Sequence, residues 1–228
     1  MKSGYQSGNI LVYVLIGIVL IGLLTAAIRN VGGYKDNIDA EDLLIKAGQV
    51  QRYGAELAKG VTIILEKNVS EADLRFAPPD DNTTQYGDIA VTPENQVFSP
   101  DGGRATYKAP PDGVNDGSPW EFFATSQIPQ VGSDKAELIA VLPNVTSAFC
   151  ETMNSQLGFA SGTIPIDDPA GAPPCVKGPA LNRFDGSFND ASPNTLDDTT
   201  FSKLPAYQAC VVCRSDGSYN YFYVLMAR

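Results

Sequence analysis

The sequence predicts an α+β fold in which a long N-terminal helix packs on a small antiparallel β-sheet head. An uncharged apolar run covers residues 10–28, an apolar stripe at helical spacing follows over residues 43–64, and short strand-like segments fill the second half. We therefore divide the chain into a tail (1–8), a transmembrane helix (9–29), an amphipathic helical stalk (30–68) and a head (69–228).

Residues 10–28 are nineteen consecutive positions without a charge. As a helix they extend roughly 28 Å, about the thickness of the hydrocarbon core of a bilayer, where only a helix satisfies its own backbone polar groups. A cleaved secretory signal is the alternative, but its apolar region usually has about 7–15 residues. Thr25-Ala26-Ala27 also precedes Ile28 and Arg29, which makes a poor cleavage site, so we expect a retained anchor.

Charge predicts the orientation of this anchor in the membrane. Lys2 is the only charged side chain before the apolar run. Because basic segments stay on the cytoplasmic side, we expect the tail inside and the head outside.

Composition excludes several classes of function. Asp and Glu outnumber Lys and Arg by 26 to 16, which gives a net charge of −10, so we expect no nucleic-acid partner. The chain has no histidine, which excludes Ser-His-Asp and Cys-His catalysis and imidazole metal sites.

Residues 112–117 and 185–190 carry oxygen ligands but match no EF-hand loop, so we predict turns there. We expect no enzyme, no catalytic residue, no metal and no cofactor.

The stalk should be kinked at Gly32–Gly33, because each glycine weakens helix propensity by about 1 kcal/mol relative to alanine. Helical periodicity then resumes for about 27 residues, with Asp39 as the predicted N-cap. One apolar stripe runs along it: Leu43, Ala47, Val50, Gly54, Leu57, Val61 and Ile64. We expect this stripe to pack on a sheet, since Ala47 and Gly54 are too small for a strong coiled-coil seam.

The head combines short strands with one further helix. Alternation and turn signals predict strands at 88–92, 96–99, 104–108, 120–125 and 136–142. A helix is predicted over 145–157, with Gly158 just past its C-terminus. Residues 160–204 are a long irregular segment. A hairpin is predicted from strands 207–214 and 219–228, which flank an Asp-Gly turn, and the second strand carries rings on both faces and should be central.

The four cysteines all lie in the second half of the chain: Cys150, Cys175, Cys210 and Cys213. An even number in an exported protein predicts two disulfides with three possible connectivities. Sequence order favours Cys150–Cys175, which would join the second helix to the long segment, and Cys210–Cys213. In a flat strand, however, Cys210 and Cys213 point to opposite faces about 10 Å apart, beyond the roughly 4.4–6.8 Å between Cα atoms that a disulfide allows. Crossed pairing to Cys150 and Cys175 therefore stays open.

Four features together resemble the type IV pilin and pseudopilin superfamily. Gly8 directly precedes the apolar run, the stalk stripe is similar to the lower half of a pilin's long helix, residues 142–154 resemble a strand followed by a cysteine-bearing helix, and a Tyr-rich hairpin closes the chain. The resemblance implies cleavage by a prepilin peptidase between Gly8 and Asn9. It also implies assembly with other pilin-like subunits through the N-terminal helix, with Tyr13, Gly17 and Gly22 in the filament core.

The chain departs from that family at two positions. Pilins usually have Phe after the cleavage glycine and Glu five residues into the mature chain, where this sequence has Asn9 and Tyr13. In the family the glutamate neutralises the N-terminal amine of a neighbouring subunit, and members without it tend to be minor subunits. We therefore expect a minor pilin of a pilus-like or secretion filament, held in the inner membrane with its head in the periplasm or on the cell surface. A membrane-anchored binding domain that does not polymerise is the alternative, and an exported hydrolase is a weaker one.

Overall fold

The computed structural model describes residues 14–21, 33–79, 86–168, 175–179 and 182–228. The chain forms two compact units, Met1–Asp42 and Leu43–Arg228. Of the apolar run 10–28, the described part is residues 14–21, and these are helical. No helix within the described ranges is both long and apolar enough to cross a membrane. The kink predicted at Gly32–Gly33 falls at the edge of a described range: Gly32 lies outside the described residues, and Gly33 is the first residue of a helix.

The long helix α1 comprises Gly33–Leu65. It begins before Asp39, so the predicted N-cap is wrong: residues 33–38 contain no proline and continue the helix, which places Asp39 inside it. Its C-terminal end and its packing face are as predicted. From Ala47 to Ile64 the apolar stripe is buried, and Leu43 is half-buried against the same core.

Small residues on α1 allow the helix to approach the sheet closely. A Cβ atom placed on Gly54 would lie 2.5 Å from the Tyr223 ring, well inside contact distance. Gly60 similarly lies against Val97 and Ala105, which a Cβ atom would meet at 3.2 and 3.4 Å. These two glycines therefore set the distance between α1 and the surface that it covers.

The head is built on a mixed six-stranded sheet rather than a purely antiparallel one. The strands are β1 (Glu121–Gln127), β2 (Glu137–Leu142), β3 (Ile166–Asp167), β4 (Asn194–Thr195), β5 (Gln208–Cys213) and β6 (Tyr219–Met226). Their order is β3-β5-β6-β2-β1-β4. The four longer strands pair antiparallel, as predicted. The two-residue edge strands β3 and β4 pair parallel to β5 and β1, which corrects the prediction.

The sheet separates two hydrophobic cores. One face, with Phe122, Leu138 and Tyr221, packs against α1 and the second helix. The opposite face, with Phe123, Ile139 and Phe222, packs against side chains in and around the long segment: Phe159, Val176, Leu196, Phe201 and Ala206. Because side chains alternate along a strand, neighbouring residues of one strand enter different cores. β6 lies between β5 and β2 and carries rings on both faces. The central position predicted for this strand is confirmed.

The second helix, α2, comprises Ser147–Leu157 and confirms the prediction for this segment. The Thr146 side chain caps it by accepting a hydrogen bond from Phe149 N at 3.2 Å, and Gly158 ends it with φ 83°. Asn154 then fixes α2 to β5, since its amide donates to Cys210 O and its carbonyl accepts from Cys210 N, both at 2.8 Å.

The cysteines form two crossed disulfides, Cys150–Cys210 and Cys175–Cys213, with Cα–Cα distances of 5.3 and 5.8 Å. The pairing that sequence order favoured is therefore wrong, and the crossed alternative is the one found. Cys210 and Cys213 lie on β5 three residues apart and face opposite sides of the sheet. Cys210 consequently bonds to α2, whereas Cys213 bonds to the long segment.

The three strands predicted over 88–108 are absent from that described part of the chain. The segment is built from turns, a short 3₁₀ helix at Pro93–Asn95 and an isolated bridge between Arg75 and Gln96. The buried Gln96 side chain organises it by accepting from Ala77 N and donating to Asp88 O and Val91 O. These side-chain hydrogen bonds replace the backbone ladder that the alternating pattern predicted.

Candidate functional site

The residues predicted to be processed or to form a filament core lie mostly outside the described ranges. Gly8, Asn9, Tyr13 and Gly22 are among them, so their predicted roles remain predictions. Gly17 is described, within the helical residues 14–21. A Cβ atom placed on it would meet no heavy atom of another element within 4 Å among the described residues.

The helical residues 14–21 present apolar side chains on every side. Apart from Gly17, their exposed fractions range from 48% for Ile16 to 66% for Ile21. Contiguous apolar surface of this kind is unfavourable in water and marks a contact with lipid or with another protein. This segment is the first candidate site.

The four cysteines are all buried and all paired within the head. Two disulfides are consistent with an extracytoplasmic protein, because such bonds persist in oxidising compartments. Their burial supports a structural role for them in the fold.

A second candidate site is a cleft beside α1, which we call the α1 cleft. Its volume is about 450 Å³. It is lined by Gln49, Val50, Arg52, Tyr53, Glu56, Lys108, Ala109, Pro111 and Trp120. Successive turns of α1 provide one wall, and the extended segment that leads to β1 provides the other.

The floor of the α1 cleft is aromatic and largely buried. Tyr53 and Trp120 meet edge to face, with ring centroids 5.4 Å apart, and are 6% and 3% exposed. The Tyr53 hydroxyl accepts a hydrogen bond from Lys108 N at 3.1 Å. Burial raises the pKa of this hydroxyl, against the opposing effect of that hydrogen bond, so Tyr53 stays protonated and keeps a proton to donate.

One ion pair, Glu56–Lys108, closes the side of the α1 cleft. Each Glu56 oxygen accepts one hydrogen bond, Oε2 from Lys108 Nζ and Oε1 from Thr106 N at 2.8 Å. Burial raises the pKa of Glu56, but these hydrogen bonds and the Lys108 charge outweigh it and hold the pKa below its ordinary value. Glu56 is therefore an ionised carboxylate whose charge is paired with Lys108.

Arg52 is an exposed cation at the mouth of the α1 cleft. Its Nε donates to Gly48 O at 3.2 Å, and no carboxylate of the described residues forms a salt bridge with it. With Lys108 and Glu56 as the other charges in the lining, two cations and one acid leave the cleft a net charge of +1. That sign is opposite to the net charge of −10 of the whole chain.

The two acidic segments considered for calcium form turns. Asp116 Oδ1 accepts from Ser118 N at 3.0 Å, and Asp185 Oδ1 accepts from Ser187 N at 3.0 Å. Hydrogen bonds from Ser118 lower the pKa of Asp116. Within the described ranges, no three or more Cys, Asp or Glu side chains come together as a metal site would require.

Sequence reasoning missed the α1 cleft entirely. Glu56 and Lys108 are 52 residues apart, and their approach depends on the path of residues 86–108, where the sequence predicts three strands at 88–92, 96–99 and 104–108. The one available signal was Trp120, the only tryptophan in the chain. Its position before β1 did not indicate that it faces α1.

Comparison with known proteins adds no name to these sites. No protein-family model, curated protein sequence or solved structure matches the chain.

Proposed function

We propose that this protein is a structural subunit, a minor pilin, of a type IV pilus-like or pseudopilus filament. Before assembly it is anchored in the inner membrane by its N-terminal helix, with the head outside. The observation that carries this proposal is the exposed apolar surface of residues 14–21, 48–66% exposed at all positions but Gly17. The uncharged run around it is long enough to reside in a bilayer first and in a bundle of helices afterwards.

Assembly exchanges one apolar environment for another. Lipid tails are as apolar as Leu and Ile side chains, so burial from water cannot drive the transfer of the helix into a filament. Packing between helices must drive it, and small residues such as Gly17 and Gly22 permit close approach. The head, with its two disulfides, remains outside the bundle and contacts partners.

Tyr13 supports a minor rather than a major subunit. If Gly8 is the cleavage site, the new amine of Asn9 lies at the end of the apolar helix. A buried ammonium without a carboxylate partner is costly in apolar surroundings, and Tyr13 offers a hydroxyl but no charge. Such a subunit is better suited to a filament tip, where its N-terminus need not be neutralised by an identical neighbour.

Processing of the tail tests the proposal in the native host. We expect mass spectrometry of the membrane-bound protein to find a chain that starts at Asn9. Gly8→Leu should block this cleavage and remove the protein from sheared surface fibres. Gly4→Leu is the matched control, since it places the same side chain in the same tail. It should leave both the cleavage and the presence of the protein in fibres unchanged.

An intact tail on the wild-type protein, together with its absence from sheared fibres, would overturn the filament proposal. That result would favour the alternative, a membrane-anchored binding domain that does not polymerise. The observation in favour of this alternative is the α1 cleft, a positively charged recess with an aromatic floor.

A further inference from the structure

We propose that the α1 cleft binds a small organic acid, that is, an apolar or aromatic group carrying a carboxylate. The inference goes beyond the filament role and does not depend on whether the chain polymerises. It rests on the composition of the cleft, on which of its hydrogen-bonding groups are already occupied, and on the sign of its charge.

The size and floor of the cleft fit an apolar group. Small-molecule sites commonly have volumes of about 300–1,000 Å³ and are lined mostly by apolar and aromatic side chains with a few polar groups. The α1 cleft has about 450 Å³. Val50, Tyr53, Ala109, Pro111 and Trp120 supply its apolar lining.

The cationic side chains of the cleft keep free hydrogen-bond donors, whereas its one carboxylate is already paired. Both oxygens of Glu56 already accept hydrogen bonds, and Lys108 Nζ donates to one of them. Tyr53 accepts from Lys108 N through its oxygen and retains the hydroxyl proton. Arg52 uses Nε on Gly48 O, which leaves its two terminal nitrogens to form a bidentate contact with a carboxylate.

Charge discriminates between classes of ligand. An organic cation would meet Arg52 and Lys108, whereas the only acid in the lining, Glu56, is already paired. A neutral amide could fill the apolar part but would gain no charge-assisted hydrogen bond, which is about twice as strong as a neutral one. The cleft therefore favours an anion with an apolar body.

Trp120 makes the proposal directly measurable. It is the only tryptophan of the chain and lies in the cleft floor, so its fluorescence reports occupancy. The full chain in detergent would be titrated with phenylacetate, with phenylacetamide as the neutral isostere and with phenethylammonium as the cation. We expect a saturable change with phenylacetate, and binding about ten-fold weaker for the other two compounds.

Arg52→Gln separates the carboxylate contact from simple filling of the cleft. It should weaken phenylacetate binding about ten-fold while leaving phenylacetamide binding unchanged. Arg104→Gln is the matched control, because Arg104 Nε also donates to a carbonyl four residues earlier, that of Pro100, but Arg104 lies outside the cleft. We expect it to bind phenylacetate like the wild type.

Three results would overturn the inference: no saturable change with phenylacetate, equal affinity for all three compounds, or unchanged phenylacetate binding in Arg52→Gln. Because Arg52 is exposed and unpaired with any described acid, the variant should fold normally, and its thermal unfolding curve would verify this.

Discussion

Asp167 and Asn194 lie on strands at opposite ends of the sheet order, yet Asn194 Nδ2 donates a hydrogen bond to Asp167 Oδ1 at 3.1 Å. The sheet must therefore curl until its two edges meet. Both residues are buried, and Asp167 Oδ2 also accepts from Val176 N at 2.6 Å, next to Cys175. The long segment thus contributes both edge strands, and the Asp167 carboxylate joins them to the Cys175–Cys213 disulfide.

The Asn194→Ala variant tests this closure. Removing the amide leaves Asp167 Oδ1 buried without its donor, which should lower the free energy of unfolding by about 1–3 kcal/mol. Thr195→Ala on the same strand is the control, since the Thr195 hydroxyl bonds to Gln127 Oε1 at the exposed surface. Urea unfolding measures both. Equal stability of the two variants would mean that the link between the edges contributes little.

Glu137 should make the stability of the head depend on pH. Burial raises the pKa of this carboxyl to about 7, against the opposing hydrogen bond and charge of Arg228, and Asp190 adds repulsion. A raised pKa means that the folded protein holds the proton more tightly than the unfolded chain does. The contribution is therefore fully present below about pH 4.5 and is lost as the pH rises through 7.

We expect the free energy of unfolding to fall by an amount on the order of 2 kcal/mol between pH 5 and pH 8 because of Glu137. Glu137→Gln should flatten this part of the curve, whereas Glu94→Gln, at an exposed position, should not. Urea denaturation at several pH values provides the measurement. A curve for Glu137→Gln that is parallel to that of the wild type would show that the carboxyl does not titrate in this window.

Two glycines on α1 should respond in opposite directions to alanine. Gly54→Ala places a Cβ atom 2.5 Å from the Tyr223 ring, so the ring or the helix must shift, at a cost of about 1–3 kcal/mol. A Cβ atom placed on Gly48 would meet no heavy atom of another described element within 4 Å, so Gly48→Ala should stabilise the helix by about 0.5–1 kcal/mol. Thermal unfolding would reveal the contrast. Stabilisation by both substitutions would place α1 further from β6 than described.

Peptide mapping without reduction tests the disulfide pairing. We expect linked peptides that contain Cys150 with Cys210 and Cys175 with Cys213. Loops of 60 and 38 residues are long enough that loss of either bond should cost about 3–4 kcal/mol. Peptides that link Cys150 to Cys175 would contradict the structure, because those residues lie on opposite faces of β5.

Local periodicity predicted the elements that are long enough to show a repeating pattern. The apolar stripe of α1 repeats over six intervals, which indicated its packing face. Along residues 219–224 of β6, tyrosine alternates with Asn220, Phe222 and Val224, so rings fall on both faces and indicated a central strand. The strands β3 and β4 have two residues each and express no period. Their pairing depends on the buried contact between Asp167 and Asn194, 27 residues apart, which no local pattern encodes.

The candidate sites were predictable to different degrees. The absence of charge over residues 10–28 was enough to identify the apolar segment that contains residues 14–21, because the length and composition of one continuous run can be read from the sequence directly. The α1 cleft depends instead on the path of residues 86–108, where the Gln96 side chain replaces strand pairing. The alternation of apolar residues predicted strands in this segment, where the chain forms turns. The approach of Lys108 to Glu56 could therefore not be predicted.

Photo-crosslinking from the apolar helix tests the central claim most directly. A photoreactive amino acid at Ile18, which is 65% exposed, reports what surrounds the helix in the native host. We predict covalent adducts of Ile18 with the N-terminal helix of another pilin-like subunit in sheared surface fibres. The same amino acid at Tyr207, which is 52% exposed on the head, is the control and should form no adduct with that helix. Adducts of Ile18 with lipid alone, and no protein in the fibre fraction, would contradict assembly through this helix.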